Sequence, residues 1–230
     1  MSEQHKKPPH PFTIAFDPRA FEAGLRGLAR RAPFEFPRTA VPTHFKHSSV
    51  LVCFWRGAED LHVLLTKRAA SLRGHPGQMS FPGGQLEEGE TWTEAALRET
   101  EEEVGLSRDR VEVLGRLDDA WSGAGHLIVP IVGWLDRPPA LVANPSEVET
   151  IHTPNVSGFF ADDAYSLESR HFEGTRYENP TLHWEEAEVY GLSADLLIET
   201  IQYALGFEAP HGPGRLRNLK SYLNKEGRLI

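Results

Sequence analysis

Glu99, Glu102 and Glu103 stand at i, i+3 and i+4 in a stretch rich in Ala, Leu, Glu and Arg. On a helix this spacing brings all three carboxylates onto one face. Like charges so close repel, which raises a pKa or recruits a cation. Carboxylate oxygens are hard donors suited to magnesium or manganese, and such ions complete their shells with water and substrate phosphates. The pattern therefore predicts a metal platform for phosphate chemistry. Arg98 points about 100 degrees round the helix from Glu99, so it is expected to orient a carboxylate rather than hold metal. Glu90, just before the helix, is placed to reach back to it.

The elements that must position this face can be read on either side of it. Thr91 to Val104 favours helix by composition, and Gly105 is placed as its stop. Before it, Ser48–Trp55 and Leu61–Lys67 are apolar or β-branched runs parted by Gly57-Ala58-Glu59-Asp60, which predicts a hairpin. Strands are expected at Val111–Leu117 and, internally, at Leu127–Leu135, with Pro138-Pro139 closing the run. Further short strands are expected near Arg170–Phe172 and Val189–Leu192. Asp17-Pro18 reads as the cap and first turn of a short helix carrying Phe21, Leu25 and Leu28. Ser193 is expected to cap a final helix through Leu205. No internal repeat is visible, nor the strand-helix alternation of a parallel sheet, so the fold class is α+β. The organisation expected is an arm and short helix over 1–45, one catalytic domain over 46–207 and a basic tail over 208–230.

A Glu-rich helix is usually only a solvated surface; the fixed residues around this one decide otherwise. From Gly84 to Leu106 the chain resembles the Nudix box, Gly-x5-Glu-x7-Arg-Glu-U-x-Glu-Glu-x-Gly-U with U bulky and apolar, and only Thr100 departs, at an apolar slot. This resemblance implies the Nudix fold, a mixed β-sheet sandwiched between helices, and a divalent-metal-dependent hydrolase that splits a diphosphate linkage. It implies Glu99, Glu102 and Glu103 as ligands of Mg2+ or Mn2+, joined by the carbonyl of Gly83 or Gly84, with Arg98 in the catalytic set. Glu99 is the leading candidate for activating water, and Glu147, on a later loop, is its rival.

The preceding segment narrows the substrate. Leu64-Leu65-Thr66-Lys67-Arg68-Ala69, Arg73, Gly77 and Phe81-Pro82-Gly83-Gly84 resemble the additional signature of Nudix coenzyme A pyrophosphatases, Leu-Leu-Thr-x-Arg-(Ser/Ala)-x3-Arg-x3-Gly-x3-Phe-Pro-Gly-Gly. The two motifs run without a gap. The resemblance implies cleavage of coenzyme A or acyl-coenzyme A to 3′,5′-ADP and the 4′-phosphopantetheine product. Arg68, Arg73, Lys67 and His75 are the expected substrate contacts, since a planar guanidinium grips phosphate bidentately. The alternatives are a Nudix enzyme for ADP-ribose or a dinucleotide, and a non-catalytic module that senses a nucleotide. Later agreement is looser: Glu147-Val148-Glu149, Tyr177–Pro180 and Tyr190-Gly191-Leu192-Ser193-Ala194 resemble family segments, whereas Ile151–Val156 departs from the expected pattern.

Composition bounds the remaining possibilities. A formal charge of −9 argues against general nucleic-acid binding, which needs Lys and Arg gathered on one surface. It does not exclude a small polyanion, because bound metal reverses the local sign. With 40% hydrophobic residues in 230, the chain can bury a core. Cys53 lies in an apolar run and reads as a buried thiol. The first residues lack a signal-peptide core and no apolar run reaches spanning length, so a cytoplasmic protein without membrane or nucleic-acid partners is expected. Subunit number stays open, a homodimer included. His44 and His47 are expected in loops, His126 as a loop histidine satisfied by backbone, and Arg215, Arg217 and Lys220 as solvated tail charges.

Overall fold

In a computed structural model, residues 10–12, 14–36, 38–41, 43–72, 76–122, 125–172, 175–185 and 187–206 are described. The strands are β1 (Lys46–Arg56), β2 (Leu61–Val63), β3 (Leu65–Arg68), β4 (Met79–Ser80), β5 (Gly83–Gln85), β6 (Glu112–Arg116), β7 (Ala120–Ser122), β8 (His126–Leu135) and β9 (Val148–His152). A meander of β10 (Tyr165–Phe172), β11 (Thr175–Trp184) and β12 (Ala187–Tyr190) follows, and the helices are α1 (Pro18–Gly27), α2 (Trp92–Val104) and α3 (Leu192–Ala204).

The main sheet runs β2-β1-β8-β6, with β5 added to β1 and β7 to β8. β1 and β8 pair in parallel from Lys46↔His126 to Trp55↔Leu135, while their other neighbours are antiparallel. These two central strands are nearly continuously apolar because helices cover both faces. Leu51, Cys53 and Trp55 of β1 meet Ala96 and Val104 of α2 on one side. On the other, Val52 and Phe54 meet Phe21 and Leu25 of α1 with Leu197 and Ile201 of α3. The expected mixed sheet between helices is thus present. β4-β3-β9 and β10-β11-β12 are separate three-stranded sheets. Among the described residues no helix is long and apolar enough to cross a membrane.

Local chemistry explains the helix ends. Asp17 accepts from the backbone N–H groups of Arg19 at 2.8 Å and Ala20 at 3.3 Å, and Pro18 fills a first-turn position that needs no donor. The helix following β12 differs from expectation: its N-cap is Gly191, not Ser193, with no side-chain cap. The positive φ of 62° at Gly191 turns the strand directly into the helix, a step glycine makes without strain.

Other expectations are corrected. Phe12, in the N-terminal arm, is buried and stacks on Phe160 at 4.7 Å. His47 lies within β1 rather than a loop, and its ring stands 5.7 Å from that of Trp92. His126 opens β8 rather than lying in a loop, and its Nδ1 lies 2.9 Å from the Ser48 hydroxyl. The two short strands expected near 170 and 190 belong to a longer three-stranded meander. Cys53 is fully buried, and burial pushes its thiol up to about 12.

Candidate active site

Helix α2 is held at both ends by groups outside its own ladder. Thr91 accepts from the Glu94 N–H while the Glu94 carboxylate accepts from the Thr91 N–H, a reciprocal capping box. At the other end Gly105 takes φ 69° and donates to the Glu101 carbonyl at 2.9 Å. Two further end carbonyls are taken by the loop after β8: Asn144 N–H donates to Glu103 O at 2.8 Å, and Val142 N–H to Val104 O at 2.9 Å. These bonds satisfy acceptors that a helix terminus leaves open, and they also lead the chain to Glu147. β9 then pairs with β3, and Ala69 N–H donates to Glu147 O at 2.8 Å. Residues far apart in sequence meet through this stitching.

The result is a carboxylate cluster drawn from two elements. Glu99, Glu103 and Glu147 each offer an oxygen, all within 4.8 Å of one another. Glu102 stands outside this group: its side chain is 54% exposed and its carboxylate lies 3.4 Å from Nη1 of Arg98. Arg98 is the hub. It donates to both oxygens of Glu90 at 2.8 and 3.1 Å, to Glu99 at 3.0 Å and to the Gln85 carbonyl at 3.0 Å. This ties the backbone of β5 to the helix face, the bridging expected from Glu90 and Arg98.

Two glycines make room. An added Cβ at Gly84 would lie 2.2 Å from the Glu99 carboxylate, so this carboxylate packs directly on bare backbone. Gly83 has φ 154°, its Cβ position would sit 2.3 Å from Ser49 O, and its N–H donates to Glu103 at 3.3 Å. Opposite, Arg68 reaches 4.0 Å from Glu103. Lys67, its neighbour in β3, pairs instead with Glu149 at 2.6 Å. Arg73 and His75 lie outside the described residues. So do the tail charges Arg215, Arg217 and Lys220.

Electrostatically the cluster holds more acid than Arg98 and Arg68 balance. Burial pushes the Glu103 carboxyl up to about 8; Arg68 opposes this and Glu99 adds to it. Burial also raises Glu99, against the counteracting Arg98. Glu90, bonded by Arg98, is instead held below the usual carboxylate range. The acids crowd the last turns of α2, the negative end of its dipole, with no basic residue in the last turn. Hard oxygen donors, converging and partly desolvated, fit a divalent cation. Thr100, the departure from the apolar slot, is buried and donates its hydroxyl to Ala96 O at 2.7 Å, which satisfies the polar group inside the helix.

Sequence reasoning named Glu147 as a rival base but missed what sets it in place in the β8–β9 loop. Asn144 accepts from Ser146 N–H at 3.2 Å, a turn that sets up Glu147. Asn144-Pro145-Ser146 was the available signal, since Asn folds back on its own backbone two residues on.

Comparison with known proteins agrees with this architecture. The NUDIX domain family description matches residues 45–157. A Nudix hydrolase NudL of Photorhabdus laumondii is 36% identical over 146 residues, covering 61% of this chain and 75% of its own. Nudix hydrolase 15, mitochondrial, of Arabidopsis thaliana is 32% identical over 175 residues, and the match spans 70% of this chain and 60% of that protein. The peroxisomal coenzyme A diphosphatase ndx-8 of Caenorhabditis elegans is 42% identical over 113 residues, and the match spans 48% of each. The carboxylate helix, the mixed sheet it rests on and these relatives agree that the chain belongs to the Nudix hydrolase family, enzymes that hydrolyse pyrophosphate bonds and generally use divalent metals.

Proposed function

We propose that this chain hydrolyses the diphosphate of coenzyme A or acyl-coenzyme A to 3′,5′-ADP and the corresponding 4′-phosphopantetheine, with Mg2+ or Mn2+. The observation that carries the reading is Arg68, which the coenzyme A signature places on β3 and which stands 4.0 Å from Glu103 of the carboxylate cluster. A cation from that signature therefore borders the acidic site, beside the place where a diphosphate would meet the bound ion. The likeness to a coenzyme A diphosphatase over 113 residues supports the same substrate class.

Glu99, Glu103 and Glu147 are the carboxylates that would hold the ion, with the Gly83 or Gly84 carbonyl; Glu102 would add a ligand from the outer side of the helix. When bound, the ion supplies Lewis acidity toward the diphosphate oxygens and makes a coordinated water more acidic. Glu99 accepts the proton of the attacking water, and Glu147 is its rival for that role. Arg98 keeps Glu99 turned inward by its 3.0 Å bond and does not itself touch substrate. Arg68 balances charge on the departing phosphate, and Arg73, Lys67 and His75 are proposed to extend the phosphate contacts.

The test is incubation of the purified protein with coenzyme A and magnesium, followed by product identification. Formation of 3′,5′-ADP and 4′-phosphopantetheine supports the reading. Faster cleavage of ADP-ribose or a dinucleotide would move the substrate elsewhere in the family, and no turnover of any diphosphate would leave only a nucleotide-binding module.

A further inference from the structure

The β10-β11-β12 meander takes no part in the chemistry above, yet it gathers ligating side chains. Leu182 and Val189 pair across β11 and β12 and point into the core. Pleating turns their neighbours to the opposite face. There His183 stands directly across from Glu188, with Nδ1 3.8 Å from the carboxylate. Glu168 of β10 joins them, so that one ligand atom from each of the three lies within 4.8 Å of the others. None of the three is fully buried.

Two independent observations point to a ligand between them. The Ser166 hydroxyl lies 2.9 Å from His183 Nε2, and when Nε2–H donates to it, the Nδ1 lone pair is left facing Glu188. An imidazole fixed in this way by a hydrogen bond at its other nitrogen is the usual arrangement of a ligating histidine. Beneath them is Thr181, across from Ser166 and Tyr190 and two residues from His183 on the same face. Thr181 is 0% exposed and its hydroxyl has no hydrogen-bond partner among the described residues. A buried hydroxyl left unpaired is costly, and an ion or its coordinated water above it would supply the missing partner. His183 also lines an open cleft with Pro154, Gly158 and Ala164.

We propose that Glu168, His183 and Glu188 form a second cation site, separate from the carboxylate helix, which takes a transition-metal dication. One nitrogen and two carboxylate donors favour zinc or cobalt over magnesium, which prefers an all-oxygen shell. An ion there clips three strands together and stabilises the meander by mass action.

Cobalt titrated into the full chain, in magnesium excess to keep the catalytic carboxylates occupied, tests the site. One equivalent should bind with a visible absorption band, and zinc should displace it and raise the thermal midpoint. Both His183→Ala and the shape-conserving Glu188→Gln should weaken cobalt binding at least about tenfold and abolish the zinc-dependent shift. Wild-type protein that binds no cobalt under these conditions overturns the proposal. Binding unchanged in a folded variant overturns it equally. If His183→Ala does not fold, the Glu188→Gln result decides, because that half-exposed side chain can change without loss of core packing.

Discussion

The Glu99 carboxylate occupies the space where a side chain at residue 84 would begin, 2.2 Å from the Cβ position of Gly84. The obstacle is the free end of a flexible side chain, so Gly84→Ala should displace Glu99 rather than disrupt the sheet. Turnover is expected to fall at least about tenfold, while the thermal midpoint shifts little, because surface-type rearrangements cost little stability. Steady-state kinetics with a melting curve would check it; a large fall in midpoint would show that the glycine serves the fold instead.

Glu103 is 3% exposed and pushed up to about 8, from an ordinary value of 4.5. Between those pH values the folded chain keeps a proton that the unfolded chain has released. Stability of the protein in chelator should therefore decline as pH rises from about 4.5 to about 8 and level off above. Glu103→Gln should remove most of that decline and be more stable than wild type at pH 8, yet lose at least about a hundredfold in activity. Magnesium should stabilise wild type more as pH rises, since binding competes with the proton. Melting curves against pH, with and without magnesium, measure all three.

Arg98 serves Glu90, Glu99 and Gln85 at once through separate nitrogens. Lysine keeps the charge but offers a single nitrogen, so Arg98→Lys should lower kcat at least about tenfold with a smaller change in KM, an effect on geometry rather than on charge. Full activity in that variant would remove Arg98 from the positioning role.

Far from the site, Gly24 lets α1 cross α3 closely, for an added Cβ would fall 1.7 Å from the Ala204 carbonyl oxygen. Backbone cannot yield as a side chain can. Gly24→Ala should therefore destabilise by about 1–3 kcal/mol or more, read by denaturant unfolding, with kcat per folded molecule unchanged.

What was legible in the sequence was what local chemistry dictates. Thr91 and Gly105 mark the ends of α2 by their own side chains, and the glutamate spacing forecasts a shared face. The parallel pairing of β1 with β8 was not legible, because nothing in either strand names its partner. Nor was the company Glu103 keeps: Glu147 joins it only because Asn144 and Val142 bond to carbonyls at the end of α2. The meander was hidden for a different reason. Pro180 lies within β11 and by itself argues against a strand, but just beyond the Thr181↔Tyr190 pair its carbonyl accepts from Gly191 N–H, and the Gly191 carbonyl accepts from Asp195 N–H, so the donor that proline lacks leaves no acceptor open there.

The buried carboxylate of Asp119 bears on how the protein can be shortened. It accepts from Phe36 N–H and Arg38, both at 2.8 Å, while Asp118 binds Arg31 and Phe34 N–H, both at 2.6 Å. A chain trimmed to begin at residue 45 would thus lose more than a decorative leader. It would leave the Asp119 carboxylate with Arg116 alone of the three partners that bond it, and strip Phe21 and Leu25 from the sheet face they cover. Such a fragment should accumulate as aggregate on expression, even though every residue of the carboxylate helix would still be in it.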